Sequence, residues 1–350
     1  MKKQFTYRQK VPFMQSRLDY WIISEDLADF VVKCEIMTSV APDHSAIYLG
    51  FFDRPENFTR NRGSYWKFNN SLCEDPVYVQ QMKEEIVKLK RELQLEIQDK
   101  RVLWDFLKLK IRQFTQHFSK KLSKYRKEQR EKLEKEVKEL EDSLIDQPDE
   151  EACKILEGKK RELQTSYDYI NEGVKIRSRA SWYEGGERDV RYFTQLIQSN
   201  RKKSTIQKIV NEKGEITCDE EDIMIEIKRF YNKLYSKSEV FQNSDIKFFP
   251  VDSSKLSEDS KELCEGIIVE RECIQVLEKM KLNKSPGNDG LTVEFYKTFW
   301  PVIGQVVVEA FNEAYQQGEL SASQKQAMVI LIAKEGKDLL QIKKYRPFYY

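Results

Sequence analysis

Apolar positions change rhythm along this chain, and each change marks a different kind of element. Over residues 1–52, short aromatic and β-branched runs such as Tyr20-Trp21-Ile22-Ile23 and Ala46-Ile47-Tyr48-Leu49-Gly50-Phe51 sit between turn residues, a strand signature. Asp26 to Phe30, between them, reads as one helical turn. Residues 53–76 carry Pro55, Gly63, Asn69, Asn70 and Pro76, which predicts an irregular connector. From Val77 to about Leu144 the pattern becomes helical, with Leu133, Val137, Leu140 and Leu144 at heptad intervals. Asp146-Gln147-Pro148-Asp149 interrupts it, and Leu156, Leu163 and Ile170 then recur seven apart. Two apolar seams joined by a short turn predict an antiparallel helical hairpin within residues 77–180.

Downstream the rhythm is mixed. Residues 181–265 hold a predicted hairpin, Ile206 to Val210 and Ile216-Thr217 around a turn at Asn211 to Gly214. A helix opening at Asp219 to Asp222 follows, with Ile223, Ile227, Phe230, Tyr231 and Leu234 on one face. Residues 236–265 are polar and loop-rich. Within 266–350, Val269 to Met280 and Phe295 to Tyr315 read as helices, and Ala327 to Ala333 as a continuous apolar strand. The expected class is α+β, mostly helical.

Composition sharpens this picture. Charged residues make up 34% and apolar residues 40%, too polar for one large core and suited to long solvated helices. The net charge of +2 conceals a basic stretch: Lys100 to Leu140 holds 14 Lys/Arg against 6 Asp/Glu. Such a stretch fits a polyanionic partner, though a solvated helix face is an equal reading. Six cysteines occur with no Cys-x-x-Cys pair, alongside two histidines. That argues against a structural zinc site or a disulfide framework. With no apolar signal core and no 18-residue apolar run, the expectation is an intracellular protein with no membrane partner.

Candidate chemistry begins with Ser16-Arg17-Leu18-Asp19 and Asp43-His44-Ser45. Asp19 could fix the tautomer of His44, leaving the other ring nitrogen to take a proton from water. Asp43 could face a hard cation such as magnesium. A strand-end histidine with no catalytic role is the plainer alternative. Gly63-Ser64-Tyr65-Trp66-Lys67-Phe68-Asn69-Asn70-Ser71-Leu72 is dense in aromatics around a lysine, which suits either base stacking or a small packed knot. Arg17, Lys175, Arg177 and Arg179 are candidate phosphate contacts, with a solvated loop an equal reading of the Lys175 to Trp182 stretch. Pro286-Gly287-Asn288-Asp289-Gly290 is by composition a tight turn.

These stretches also resemble known families. Ser-Arg-x-Asp and Asp-His-Ser are similar to the last two motifs of the apurinic/apyrimidinic-type endonucleases, within the endonuclease/exonuclease/phosphatase fold. The resemblance implies that Asp19 orients His44, that His44 is the base and that Asp43 lies at the metal and phosphate. Pro42 stands where that family usually has serine. Lys-Ser-Pro-Gly-x-Asp-Gly-Leu over residues 284–291 resembles the fingers motif of non-long-terminal-repeat reverse transcriptases, with Pro286, Gly287, Asp289 and Gly290 as its structural residues. Asn288 replaces the usual proline. By the same resemblance Lys334 and Arg346 reach the incoming triphosphate. Tyr65-Trp66-Lys67-Phe68-Asn69 and the Trp182 to Arg188 run resemble connecting segments of retrotransposon proteins.

Four motifs in one order imply an internal piece of a long interspersed element-type endonuclease–reverse transcriptase polyprotein. The implied parts are a β-sandwich remnant of the nuclease over 1–52, a linker over 53–76, the helical hairpin over 77–180, a pre-polymerase segment over 181–265 and the start of the fingers over 266–350. No Tyr/Phe-x-Asp-Asp sequence occurs, and two-metal nucleotidyl transfer needs paired carboxylates. The expectation is therefore a catalytically inactive chain with no cofactor bound, where the intact family uses magnesium. DNA and RNA are the family's partners. The alternative is a non-catalytic module that binds nucleic acid or a protein through the hairpin, with coiled-coil self-association as one mode.

Overall fold

A computed structural model describes residues 5–9, 14–38, 41, 43–51, 65–146, 150–178, 194, 196–200, 205–236, 257–334 and 339–349. The described elements are mostly helical. The strands pair into four separate two-stranded antiparallel sheets, and no larger sheet assembles among the described residues. The contacts divide the chain into two compact units, one of residues 1–63 and 119–202, the other of residues 64–118 and 203–350. The division falls inside the 77–180 span that the sequence pattern groups together.

In the first unit, β1 (Tyr7–Gln9) pairs with β2 (Met14–Ser16) and β3 (Val31–Met37) pairs with β4 (Ala46–Phe51). A single bridge joins Tyr7 to His44. Tyr20 to Ile23, expected as a strand, is irregular, and Tyr20, Trp21 and Ile22 are exposed, Ile22 at 95%. The strand that pairs with β4 is instead Val31–Met37, reached after the one-turn helix α1 (Glu25–Ala28). Pairing decides here: Cys34 and Ile36 face Leu49 and Ile47 across the ladder, while Tyr20 to Ile23 pair with no strand among the described residues.

The helical seam forms as the heptads require. The last part of α3 (Lys100–Asp146) and α4 (Glu150–Ser178) bury Val137, Leu144, Leu156 and Leu163 together, with Leu133 and Leu140 packed against them. Each such side chain contributes roughly 1.5–3 kcal/mol on leaving water. Arg126 lies 4.1 Å from the Tyr169 ring centroid, and Tyr167 donates to Glu134 Oε1 at 2.6 Å, which fixes the register between the two helices.

In the second unit, Asp75 caps α2 (Pro76–Glu96), accepting from Val77 N and Tyr78 N. Tyr78, Met82, Ile86 and Leu89 form its buried stripe. The helix expected to run unbroken from Val77 stops at Glu96. Asp99 then starts α3 by accepting from Arg101 N and Val102 N, an N-cap that the helical periodicity masks. Residues 100–118 of α3 add Leu103, Trp104, Leu107 and Ile111 to the core.

A small module stacks Ile209, Ile223 and Ile342. It draws on β5 (Ile209–Val210), β6 (Ile216–Thr217) and α5 (Glu220–Tyr235). Two solvated helices follow, α6 (Glu258–Cys264) and α7 (Glu270–Lys279). Then α8 (Val293–Gln317), started by Thr292 and ended by Gly318 at φ +65°, buries Phe295, Phe299, Ile303, Val306 and Val307. The hairpin of β7 (Val329–Ala333) and β8 (Tyr345–Tyr349) closes the described chain, with Ile332 opposite Arg346.

Candidate functional site

The two motifs around Asp19 and His44 meet because Thr6 holds both. Thr6 is fully buried, and its Oγ1 accepts from Leu18 N at 2.9 Å and Asp19 N at 3.0 Å. Its carbonyl accepts from Ser45 N at 2.7 Å. That brings His44 Nδ1 to 3.0 Å from Asp19 Oδ2. An ionised carboxylate can only accept, so Nδ1 carries the hydrogen and Nε2 is the acceptor of the neutral ring. The Tyr7 ring lies 5.1 Å from the imidazole, centroid to centroid. The hydrogen bond from His44, with a second from Thr6, holds the Asp19 carboxyl below its ordinary value of 3.8. Both side chains remain open to solvent, 43% for His44 and 36% for Asp19. The pair has the geometry of an oriented general base.

Asp43 precedes it on the chain, but its side chain is exposed. Its carbonyl accepts from Arg8 N at 2.8 Å. Among the described residues no group of three or more His, Cys, Asp and Glu side chains gathers as a cation cage. The donors among the described residues do not make up a magnesium site.

The other expected site residues are scattered. The Arg17 guanidinium lies 5.2 Å from the Tyr20 ring centroid. Lys175 pairs with Glu172 at 3.5 Å. Arg177 lies on α4, its side chain outside the described residues, as are Arg179 and the Trp182 to Arg188 run. Lys334 Nζ donates to the Lys343 carbonyl at 3.2 Å, and Arg346 is exposed on β8. The register sets both basic residues at one end of the β7–β8 hairpin.

The Pro286-Gly287-Asn288-Asp289-Gly290 run is a turn with structural duties. Gly290 N donates to Gly287 O, and Gly290 has φ +77°. Asp289 accepts from Leu291 N at 3.0 Å and from the Tyr296 hydroxyl at 3.3 Å. Burial, and then the Asp289 charge, raise the Tyr296 hydroxyl well above its usual range. Asp289 is thus a brace for α8. The turn also receives the aromatic segment: Gly290 O accepts from Phe68 N at 2.9 Å, and a Cβ on Gly290 would stand 2.4 Å from the Trp66 carbonyl oxygen. Phe68 packs edge-on against Phe295, and Arg112 lies over Trp66 at 5.3 Å. Of the two readings for Tyr65 to Asn70, the packed knot is the one the contacts describe.

Sequence reasoning missed two charged residues, Glu141 and Lys160. Both are buried, 3.0 Å apart. A signal was available: Glu141 falls four after Val137 and three before Leu144, and Lys160 four after Leu156 and three before Leu163. Those are seam positions, where a charge calls for a partner.

No protein-family profile matches the chain. It is similar to a Xenopus laevis protein named transposon TX1 uncharacterized 149 kDa protein. The two are 31% identical over 337 residues, 95% of this chain. The chain spans 25% of that protein's length. No helix among the described residues is long and apolar enough to cross a membrane.

Proposed function

We propose that this chain is a connecting segment of a retrotransposon protein of the non-long-terminal-repeat, long interspersed element type. In this reading residues 1–52 belong to the end of an apurinic/apyrimidinic-type nuclease and 266–350 to the start of reverse transcriptase fingers. The helical hairpin joins them. The observation that carries the proposal is the 31% identity to a transposon protein across 95% of this chain. The Asp19–His44 contact supports the nuclease assignment, and the braced turn before α8 supports the fingers assignment. The chain's own role is then to position and to hold nucleic acid, not to cut or copy it: the carboxylates needed for either metal-dependent reaction are not among those the motifs supply.

The test is a plasmid-nicking assay with magnesium on the purified chain and on His44→Ala, with binding to the same DNA titrated against salt. The expected outcome is no nicking by either protein and an affinity that falls linearly with log salt as counterions are released. Nicking that His44→Ala abolishes refutes the inactive reading, and salt-insensitive behaviour refutes the nucleic-acid role.

A further inference from the structure

Glu141 sits on the apolar stripe of α3 with only 5% of its surface exposed. Two cations meet it there, Arg8 Nη1 at 3.3 Å and Lys160 Nζ at 3.0 Å. Both cations extend past it to the segment before β4 that carries His44. Arg8 Nη1 also donates to Ser45 Oγ at 2.9 Å, and Arg8 N donates to Asp43 O at 2.8 Å. Lys160 Nζ donates to the Ala41 carbonyl at 2.9 Å. A further bond runs from Gln15 Nε2 to Leu144 O at 3.1 Å.

The Asp43-His44 step is therefore held from both sides, by Lys160 at Ala41 and by Arg8 at Ser45, within one buried ionic cluster that joins Glu141 and Lys160 of the helical hairpin to Arg8 of β1. The partners lie far apart in sequence, 133 residues for Arg8 and Glu141 and 119 for Ala41 and Lys160. Packing alone does not call for this arrangement, since apolar residues would fill two seam positions at less desolvation cost. What the charges add is direction. The hydrogen bonds of a carboxylate, a guanidinium and an ammonium fix where a backbone carbonyl and a hydroxyl must lie, as apolar contacts do not.

We propose that Glu141 and Lys160 are positioning residues for the Asp19–His44 pair, so that the helical hairpin sets the geometry of the histidine. The functional meaning rests on reading Asp19 and His44 as an acid–base pair. The coupling itself can be measured with no reaction at all, so its failure is separable from failure of the nuclease assignment.

The chain has two histidines, His44 and His117, and His117 belongs to the other compact unit. It is a built-in reference. The experiment records the imidazole carbon–proton NMR signals of the full chain labelled at histidine, assigned with His117→Asn, together with amide exchange at Arg8 and Ser45. The variants are Glu141→Gln, Lys160→Met and Lys160→Arg. Glu136→Gln is the control, because it removes the Lys159–Glu136 pair (3.0 Å) on the same hairpin.

The expected result is displaced His44 signals in Glu141→Gln and Lys160→Met, with His117 unmoved. Exchange at Arg8 and Ser45 should quicken about tenfold or more as the buried cluster loses a partner. Lys160→Arg, which keeps the charge, should displace His44 less, and Glu136→Gln not at all. His44 signals that stay in place in Glu141→Gln and Lys160→Met overturn the proposal, as does an equal displacement in Glu136→Gln. If circular dichroism shows that the first two variants lose their helix, Lys160→Arg decides. A displacement confined to His44 supports the proposal, and none overturns it.

Discussion

Gly290 illustrates how one residue can be fixed by two separate constraints. Its φ of +77° lies where a side chain is strained, and an added Cβ would press on the Trp66 carbonyl and ring. Gly290→Ala should cost about 2–4 kcal/mol. Gly287→Ala, where nothing lies within 4 Å of the added atom, should stay within about 0.5 kcal/mol. Chemical denaturation of both variants checks the contrast. Asp19 makes a prediction in pH. Its folded-state pKa is depressed, so the stability it adds is present above its ordinary 3.8 and is lost as pH falls from there through the lowered value. Acid titration of the folded chain should show this loss below about pH 4, and His44→Ala should remove it, because the His44 hydrogen bond is the largest cause of the shift. Loss of the same size in both proteins contradicts the assignment.

At the scale of elements, the hairpin of α3 and α4 separates buried apolar contacts from surface charge. Leu163 is 1% exposed within the seam, so Leu163→Ala should destabilise by about 2–5 kcal/mol through lost transfer energy and the cavity left behind. Lys124 and Glu128 pair at 3.8 Å on α3, but their side chains are 80% and 57% exposed. Breaking that pair with Lys124→Ala should change stability by no more than about 0.5 kcal/mol. Thermal melts of the two variants distinguish them. The heptads were legible because apolar spacing is local and repeats. The stop between α2 and α3 was not, because Asp99 caps its helix inside a stretch whose periodicity continues on both sides. Tyr20 to Ile23 misled in the opposite sense: β-branched and aromatic content is met by strands, yet a strand needs a neighbour to pair with.

For the whole molecule, two compact units each have their own core. Unfolding should therefore depart from a single all-or-none transition, with a van't Hoff enthalpy smaller than the calorimetric one. Scanning calorimetry checks this, and equal enthalpies would show one cooperative body. Segments distant in sequence build both units: residues 64–118 pack with the part that holds α8, and residues 119–202 with the part that holds Asp19 and His44. The aromatic run at Tyr65 to Asn70 reads as a linker along the chain, but it packs against Gly290 and Phe295.

The sequence by itself determined the helix-rich class, the hairpin seam, the turn at residues 286–290 and the residue types able to form an acid–base pair. Each of these follows from local spacing or from the chemistry of a short motif. Only the tertiary structure decided which strand pairs with β4, that Thr6 brings Asp19 to His44, and that Glu141 and Lys160 reach the segment around the histidine. Those outcomes depend on hydrogen bonds and buried charges between residues up to 133 positions apart. The free energy of such contacts appears only when the whole chain has chosen which groups leave water together.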